Sequence, residues 1–355
     1  MLNPNVLGGA LLPHAPQFFT QPDTERKEII ASVQKVAADI GRGLKALKPD
    51  LWIVIANDHA QQFFHNCAPP FTIHVGGEAY GEFAGRKFHY VVAGEVGFAL
   101  VRELYRSGFD PAFTSTAEID YALGIPMTHL GIEDPILPIY VNAYLPPQPT
   151  MERCYLFGQA LARGVRALGL RVVVVASGGM SHFPGTERYG SPDLAFDNAV
   201  LEPLRQGRLK TLLGYDEKIL DDTGNIELRC WSVAAGGLGE RKPDVVQMDP
   251  SWHHNYASLG WYTPNEEARL APHYPPIAPE LAALTGALHT LANSAEARQN
   301  YYADPGAYAQ RFKLSAEQAR MLVNFDAKTL VDLGVHPLVP FLARLHFERE
   351  RGKKA

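Results

Sequence analysis

Short, unbroken runs of hydrophobic residues constrain the fold of this chain more than any other feature. Residues 51–56 (LWIVIA) and 170–177 (LRVVVVAS) are rich in β-branched side chains and too short for buried helices. Val6–Leu12 and Ile136–Val141 are similar runs. Such runs are typical of strands that are buried on both faces of a sheet. Residues 25–47 carry hydrophobic side chains three and four positions apart, which predicts a helix. Strands that alternate with helices indicate an α/β sheet with helices on its faces.

The pattern changes in the last part of the chain. Residues 271–280 (APHYPPIAPE) contain four prolines, which is typical of an extended linker. The stretches with helical periodicity beyond them are 281–292, 295–302, 315–324 and 327–333. Ser315 and Gln318 fit a capping box at the start of one of these helices. We therefore predict an α/β domain over residues 1–268 and a small all-α domain over residues 269–355.

Composition excludes several classes of protein. A net charge of −5 provides no basic surface, so we expect neither nucleic acid nor an anionic membrane as a partner. The 3 cysteines are far apart in sequence, which argues against a structural zinc site and a disulfide scaffold, whereas 13 histidines are available for imidazole chemistry. The first residues lack the basic and apolar regions of a signal peptide, and no run approaches the roughly 18 apolar residues of a membrane span. We expect a cytoplasmic protein.

Histidines follow three of the strand-like runs, each with small or turn-forming neighbours. They are His14 in LLPHAP, His59 in NDHA and His182 in GGMSH. Ligands bind at the carboxyl ends of strands in open α/β sheets, so these three side chains are candidates for one pocket. Glu227, in NIELRCW, adds a carboxylate near a predicted helix start marked by turn-forming residues.

Two histidines and one carboxylate are the ligand set of many non-haem Fe(II) sites, which keep open positions for substrate and oxygen. The third histidine would then be free for acid–base chemistry near neutral pH. The spacing does not decide which histidine is free, because all the separations are long. The alternative is that the histidines cap strand ends through hydrogen bonds to the backbone.

The four motifs, in this order, resemble those of the class III extradiol ring-cleavage dioxygenases, the family of protocatechuate 4,5-dioxygenase. The resemblance covers residues 5–262, and residues 293–345 resemble the small α subunit of the same enzyme. The chain is thus similar to a fusion of the two subunits with the catalytic part first. The resemblance implies a central mixed sheet flanked by helices, with the helical C-terminal domain covering the pocket as a lid.

The resemblance also implies roles for individual residues. His14, His59 and Glu227 would bind Fe(II), and His182 would be the acid/base. Asp58 could orient His59, since metal-bound imidazoles usually have a hydrogen-bond acceptor behind them. Its alternative role is to cap a turn. Gly178 and Gly179 are expected to let the backbone turn tightly before His182.

The implied activity is Fe(II)-dependent extradiol cleavage, by O2, of a catechol-like aromatic ring or of a dihydroxypyridine or hydroxypyridone-type ring. A homodimer is expected from the family's habit of pairing subunits. A Zn-dependent metallohydrolase on the same scaffold is the alternative activity, because His and Glu also bind Zn²⁺. A non-catalytic α/β protein is a third possibility, and the intact set of four motif residues argues against it.

One difference from the family pattern bears on the substrate. Where the protocatechuate enzyme has a histidine after an aspartate, this chain has Tyr121 after Asp120. A tyrosine donates a hydrogen bond but carries no positive charge at pH 7, so a ring other than protocatechuate is expected. His129, His253 and His254 are further candidates for substrate contact.

Overall fold

In the computed structural model of the protein, which describes residues 4–264 and 278–352, the α/β pattern becomes a mixed sheet with helices on both faces. The strands are β1 (Val6–Leu12), β2 (Leu51–Asn57), β3 (Phe71–His74), β4 (Glu78–Phe83), β5 (Arg86–Val91), β6 (Ala112–Thr114), β7 (Ile136–Val141), β8 (Val172–Ser177), β9 (Val245–Pro250) and β10 (Asn255–Trp261). The main sheet has the order β6-β3-β7-β2-β8-β1-β10-β9, and β4 pairs with β5 in a separate hairpin.

Helices connect these strands and cover both faces of the sheet. They are α1 (Gln17–Thr20), α2 (Lys27–Ala46), α3 (Gly94–Arg106), α4 (Tyr121–Leu130), α5 (Met151–Ala167), α6 (Leu194–Arg205), α7 (Glu217–Asp222) and α8 (Leu228–Leu238), with a 3-10 turn at Leu209–Gly214. The predicted α/β fold class is confirmed.

Strand direction brings several loops to one edge of the sheet. β1, β2, β7 and β8 run parallel to one another, so the loops that follow them leave from the same edge. β10 is antiparallel to β1, so the residues that precede β10 also lie at this edge. The topology therefore brings the segments that follow β1, β2, β7 and β8, and the segment that precedes β10, to one edge of the sheet.

The unbroken hydrophobic runs are explained by two cores, one on each face of the sheet. In β2, Leu51, Ile53 and Ile55 belong to one core and Trp52, Val54 and Ala56 to the other. Helices α5 and α8 contribute to the first core, and α2 and α4 contribute to the second. Because successive side chains of a strand point to opposite faces, a strand between two cores is hydrophobic at every position.

The helix predicted over residues 25–47 is confirmed as α2, and it continues through a glycine that sequence patterns would discourage. A Cβ at Gly41 would lie 2.2 Å from the carbonyl oxygen of Leu130 in α4. Glycine costs about 1 kcal/mol relative to alanine inside a helix. Here it lets α2 and α4 approach closely.

The chain divides into two compact units, Met1–Arg269 and Leu270–Ala355. The described part of the second unit begins with a 3-10 turn, Pro279–Leu281, and its helices are α9 (Ala282–Asn293), α10 (Ala295–Ala303), α11 (Pro305–Ala309), α12 (Ala316–Asn324), α13 (Ala327–Asp332) and α14 (Leu338–Gly352). The capping box of Ser315 and Gln318 is present at α12, as predicted.

The predicted boundary at residue 268 and linker residues 271–277 lie outside the described residues. The assignment of catalysis to one unit and of a lid to the other stays a prediction. Among the described helices, none combines the length and apolar character that crossing a membrane would require.

Candidate metal centre and active site

Three of the sequence-predicted residues meet at the sheet edge. One ligand atom from each of His14, His59 and Glu227 lies within 4.8 Å of the others. His14 and His59 each follow their strand, β1 and β2, by two residues, and Glu227 is the N-cap of α8. Glu227 Oε1 is 3.2 Å from His14 Nε2 and 3.9 Å from His59 Nε2. Two imidazoles and a carboxylate in this arrangement are a donor set that suits a divalent transition metal.

The His14 ring is oriented by the neighbouring strand. Its Nδ1 lies 2.8 Å from Oγ of Ser177, the last residue of β8. When a metal is bound, donation from Nδ1–H to this hydroxyl would leave the Nε2 lone pair to bind it. A backing hydrogen bond of this kind selects the tautomer that can bind a metal.

The His59 ring is oriented by Asp120. Nδ1 of His59 lies 2.9 Å from Asp120 Oδ2, and the other carboxylate oxygen accepts a hydrogen bond of 2.9 Å from the backbone N–H of Ala122. Asp120 thus caps α4 and holds His59 at once. The Asn57 amide nitrogen lies 3.3 Å from His59 Nε2, which fits an unprotonated Nε2.

The prediction that Asp58 orients His59 is wrong, and its alternative role as a turn cap is correct. The Asp58 carboxylate accepts backbone hydrogen bonds from Gln61, Gln62 and Phe63 at 3.0, 3.1 and 3.0 Å. Burial raises the pKa of Asp58, although these three donors oppose the shift. The Asp58 carboxylate therefore stabilises its own loop and does not orient His59.

Glu227 is a buried carboxylate with a defined orientation. Its Oε2 accepts a 2.6 Å hydrogen bond from the backbone N–H of Gly179, and the Tyr144 hydroxyl donates to Oε1 at 3.3 Å. Burial alone would raise the pKa of Glu227, but His14 and His182 outweigh it and hold the pKa well below its ordinary value. Glu227 is therefore ionised, and Oε1 faces the imidazoles.

His182 lies on the open side of this group. Its Nδ1 is 2.9 Å from the carbonyl oxygen of Met180, and its Nε2 is 3.9 Å from Glu227 Oε1. The side chains of His182 and His59 are 12% and 16% exposed, against 3% for His14 and 0% for Glu227. Access to the group is therefore flanked by His59 and His182.

A buried carboxylate, which the sequence reasoning missed, holds the loop that carries His182. Asp197 accepts hydrogen bonds from the Ser181 hydroxyl at 2.6 Å, from Asn225 at 3.0 Å and from Asn255 at 2.7 Å. Burial raises the pKa of Asp197, although these donors oppose the shift. The network ties the β8 loop to the segment before α8 and to the start of β10.

Two of the predicted substrate-contact residues adjoin the site. Tyr121, the first residue of α4, stacks on the His59 ring with centroids 4.1 Å apart. Burial raises the pKa of Tyr121 well above its ordinary value, so the side chain stays a phenol. His254 stacks on His182 with centroids 4.2 Å apart and planes at 3°.

The other two predicted contacts pack elsewhere. Nε2 of His253 lies 3.3 Å from the Glu25 carboxylate. The His129 ring packs against Phe18 and Phe19 at centroid distances of 5.6 and 5.8 Å. Burial lowers the pKa of His129 to about 4. Contact of these side chains with substrate stays a prediction.

Ser177, Asp120 and Tyr144 were not assigned roles from the sequence. Asp120 directly precedes a helix, which is a recognisable capping position, but its use by His59 spans 61 residues of sequence. Ser177 ends a strand, and Tyr144 follows β7 by three residues. Strand-end position is thus the signal that could have found Ser177 and Tyr144.

Comparison with known proteins identifies the family. Residues 8–258 match the family described as the catalytic LigB subunit of aromatic ring-opening dioxygenase, and residues 285–345 match the LigA subunit of aromatic-ring-opening dioxygenase LigAB. The chain belongs to this family. It is an extradiol ring-opening dioxygenase in which both subunit types occur in one chain, as the sequence motifs predicted. The metallohydrolase alternative is not favoured.

Two relatives of similar sequence agree with this assignment. A 2,3-dihydroxyphenylpropionate/2,3-dihydroxicinnamic acid 1,2-dioxygenase of Klebsiella pneumoniae (strain 342) is 30% identical over 264 residues, covering 73% of this chain and 78% of that protein. A protein of the same activity from Pseudomonas putida is 33% identical over 236 residues, covering 66% and 71%. Among solved structures, an uncharacterized protein from Escherichia coli K12 aligns with a TM-score of 0.49 and 14% identity, covering 72% of this chain and 99% of that chain.

Proposed function

We propose that this dioxygenase is Fe(II)-dependent, with His14, His59 and Glu227 as ligands and His182 as the catalytic acid/base. The observation that carries the proposal is the arrangement of the three ligand atoms within 4.8 Å, with His182 on their accessible side. When bound, Fe(II) would bring two adjacent substrate oxygens and O2 together and pass electron density between them. The remaining steps belong to the protein.

His182 moves the proton in this proposal. Its Nδ1 faces a carbonyl oxygen, which only accepts, so in the neutral imidazole Nδ1 carries the hydrogen and Nε2 has the free lone pair. Nε2 would accept the proton of a substrate hydroxyl and later return it as the ring opens. The ring of Tyr121, stacked on His59, would exclude water from the adjoining side.

For the substrate we propose a small ring with two adjacent oxygen-bearing positions, either a catechol or a dihydroxypyridine. The names of the 2,3-dihydroxyphenylpropionate relatives support a catechol. A panel of 2,3-dihydroxyphenylpropionate, protocatechuate, gallate, aminophenol and dihydroxypyridine, each with Fe(II) under air, tests this by oxygen uptake. A substrate should also produce the visible absorbance of a ring-opened semialdehyde.

Two variants test the residue roles. Glu227→Ala is expected to lose bound iron and activity, and full iron content with an unchanged rate would exclude Glu227 as a ligand. His182→Phe is expected to retain iron and to lose about 100-fold or more of the rate, in line with general acid–base contributions. His89→Phe, which replaces an exposed histidine on the β4–β5 hairpin, is the matched control and should behave as wild type.

We also propose that residues 1–268 carry the catalytic centre, that residues 269–355 cover it, and that the protein is a cytoplasmic homodimer. The match of residues 285–345 to the LigA subunit supports the covering role. Hydrogen exchange with and without a bound catechol should show new protection in the second unit. Light scattering of the purified protein measures the number of chains, and a monomer would contradict the dimer.

A further inference from the structure

The His182 ring is covered on one face by a second imidazole that the proposed reaction does not use. His254 lies parallel to it, with centroids 4.2 Å apart and planes at 3°. His254 is 4% exposed, so it covers His182 on the face that is turned toward the protein interior. The hydrogen bond from Nδ1 to Met180 restrains the His182 ring at one point. A single hydrogen bond leaves tilt out of the ring plane possible, and the stacked ring opposes that tilt.

His254 contacts two further parts of the site. The Tyr256 ring packs against it at 4.9 Å, and the Tyr256 hydroxyl donates to the buried Glu25 carboxylate at 2.9 Å. A Cβ at Gly179 would be 1.8 Å from His254 Nε2, so this backbone also lies against the ring. Gly179 also donates its N–H to Glu227. His254 therefore touches the β8 loop at two positions, Gly179 and His182.

The contacts of His254 depend on its shape more than on its polarity. Its Nε2 is buried and makes no hydrogen bond within residues 4–264 and 278–352. The contacts that the structure gives this side chain are made by its flat ring, with the rings of His182 and Tyr256.

We propose that His254 is a positioning residue for the reaction. Its flat ring, stacked on His182, holds that imidazole with Nε2 directed at the bound substrate. This role rests on the proposed function of His182 as the acid/base. It differs from the direct substrate contact predicted from the sequence, because His254 acts through His182. The positioning role also explains why residue 179 is a glycine, since the side chain of any larger residue would displace the His254 ring.

The test compares His254→Phe, which keeps a flat ring, with His254→Leu, which has similar bulk but is not flat. The full-length chain loaded with Fe(II) provides kcat, KM and iron content. The chain loaded with diamagnetic Zn²⁺ provides the NMR signal of the His182 Nδ1–H, assigned by its loss in His182→Phe. Thermal unfolding checks that each variant is folded at the assay temperature.

We expect His254→Leu to lower kcat by at least about 10-fold, since small misplacements of a reacting group are costly. KM and iron content should change little, and the His182 Nδ1–H signal should broaden or disappear. His254→Phe should keep the signal and most of kcat. If His254→Leu does not fold, His254→Gln, which is polar but not flat, makes the same comparison.

Three results would overturn the positioning role. The first is wild-type kcat and an unchanged signal in His254→Leu. The second is an equal loss of kcat in the Phe and Leu variants, which would assign an imidazole-specific role. The third is an effect on KM alone, which would assign direct substrate contact. If His182→Phe has full activity, the proposed function of His182 fails as well, whereas an inactive His182→Phe beside a fully active His254→Leu rejects the positioning role alone.

Discussion

Replacing Asp120 by asparagine separates the two tasks of this carboxylate. One oxygen accepts the backbone N–H of Ala122 at 2.9 Å, and the other takes the His59 Nδ1–H at 2.9 Å. Asparagine has one oxygen and one NH2 group. When its oxygen keeps the helix cap, the NH2 group faces Nδ1 and donates to it. The proton of His59 then moves to Nε2, the nitrogen that faces Glu227.

This change of tautomer should weaken metal binding with little loss of stability. Removing the partner of a metal-binding histidine costs about 10- to 100-fold in metal affinity, which is about 1.4–2.7 kcal/mol. Asparagine is as good an N-cap as aspartate, so α4 should remain capped. Asp120→Ala loses both functions, and the lost cap adds about 1 kcal/mol of destabilisation.

Competition with a chromophoric chelator measures the metal affinity, and thermal unfolding of the metal-free chain measures stability. We expect weak binding in both variants and a further fall in Tm of about 2–4 °C in Asp120→Ala only. Asp216, which caps α7 by accepting the Ile219 N–H at 2.8 Å, provides a matched control without a histidine partner. Wild-type metal affinity in Asp120→Asn would refute the tautomer argument, and equal stability of the Asn and Ala variants would refute the cap.

Three further predictions concern other buried contacts. Ser177→Ala removes the acceptor for His14 Nδ1–H and should weaken metal binding about 10-fold in the chelator assay; unchanged affinity would contradict the role of the hydroxyl. His129 has a pKa of about 4 when folded against 6.5 when unfolded, so its stabilising contribution is present above pH 6.5 and falls as the pH drops toward 4. Urea unfolding should show that, between pH 6.5 and 4.5, the free energy of unfolding falls by about 2 kcal/mol less in His129→Phe than in wild type. Equal falls in the two proteins would contradict the burial argument. Arg229→Met should lower Tm, because the buried guanidinium donates to the backbone carbonyls of Pro149 and Ile226, at 3.0 and 3.1 Å, and both hydrogen bonds would be lost; an unchanged Tm would show that these bonds do not stabilise the fold.

Elements with strong local patterns could be predicted from the sequence. The runs at 51–56 and 170–177 became β2 and β8, because a strand buried on both faces has no polar positions to interrupt the run. The β4–β5 hairpin was missed. Its residues are mostly exposed, so no strict alternation of apolar and polar side chains marks it.

The sequence alone supplied the four candidate residues of the site, and the family resemblance implied which three of them would bind the metal. His14, His59, His182 and Glu227 stand in short motifs at strand or helix ends, and chain direction in an α/β sheet brings such ends together. Tertiary structure alone decided which groups orient them. Asp58 was the local candidate beside His59, yet the partner is Asp120, because Asp58 is used by its own loop.

The same distinction applies to the glycines before His182. The sequence shows two glycines and predicts a tight turn, but neither has a positive φ. At Gly179 the constraint is the ring of His254, which directly precedes β10 and lies 75 residues away in sequence (254 − 179). Local sequence determines strands, helices and motif positions because their signals repeat over a few residues. Contacts between distant loops leave no such repeat, so only the folded chain reveals them.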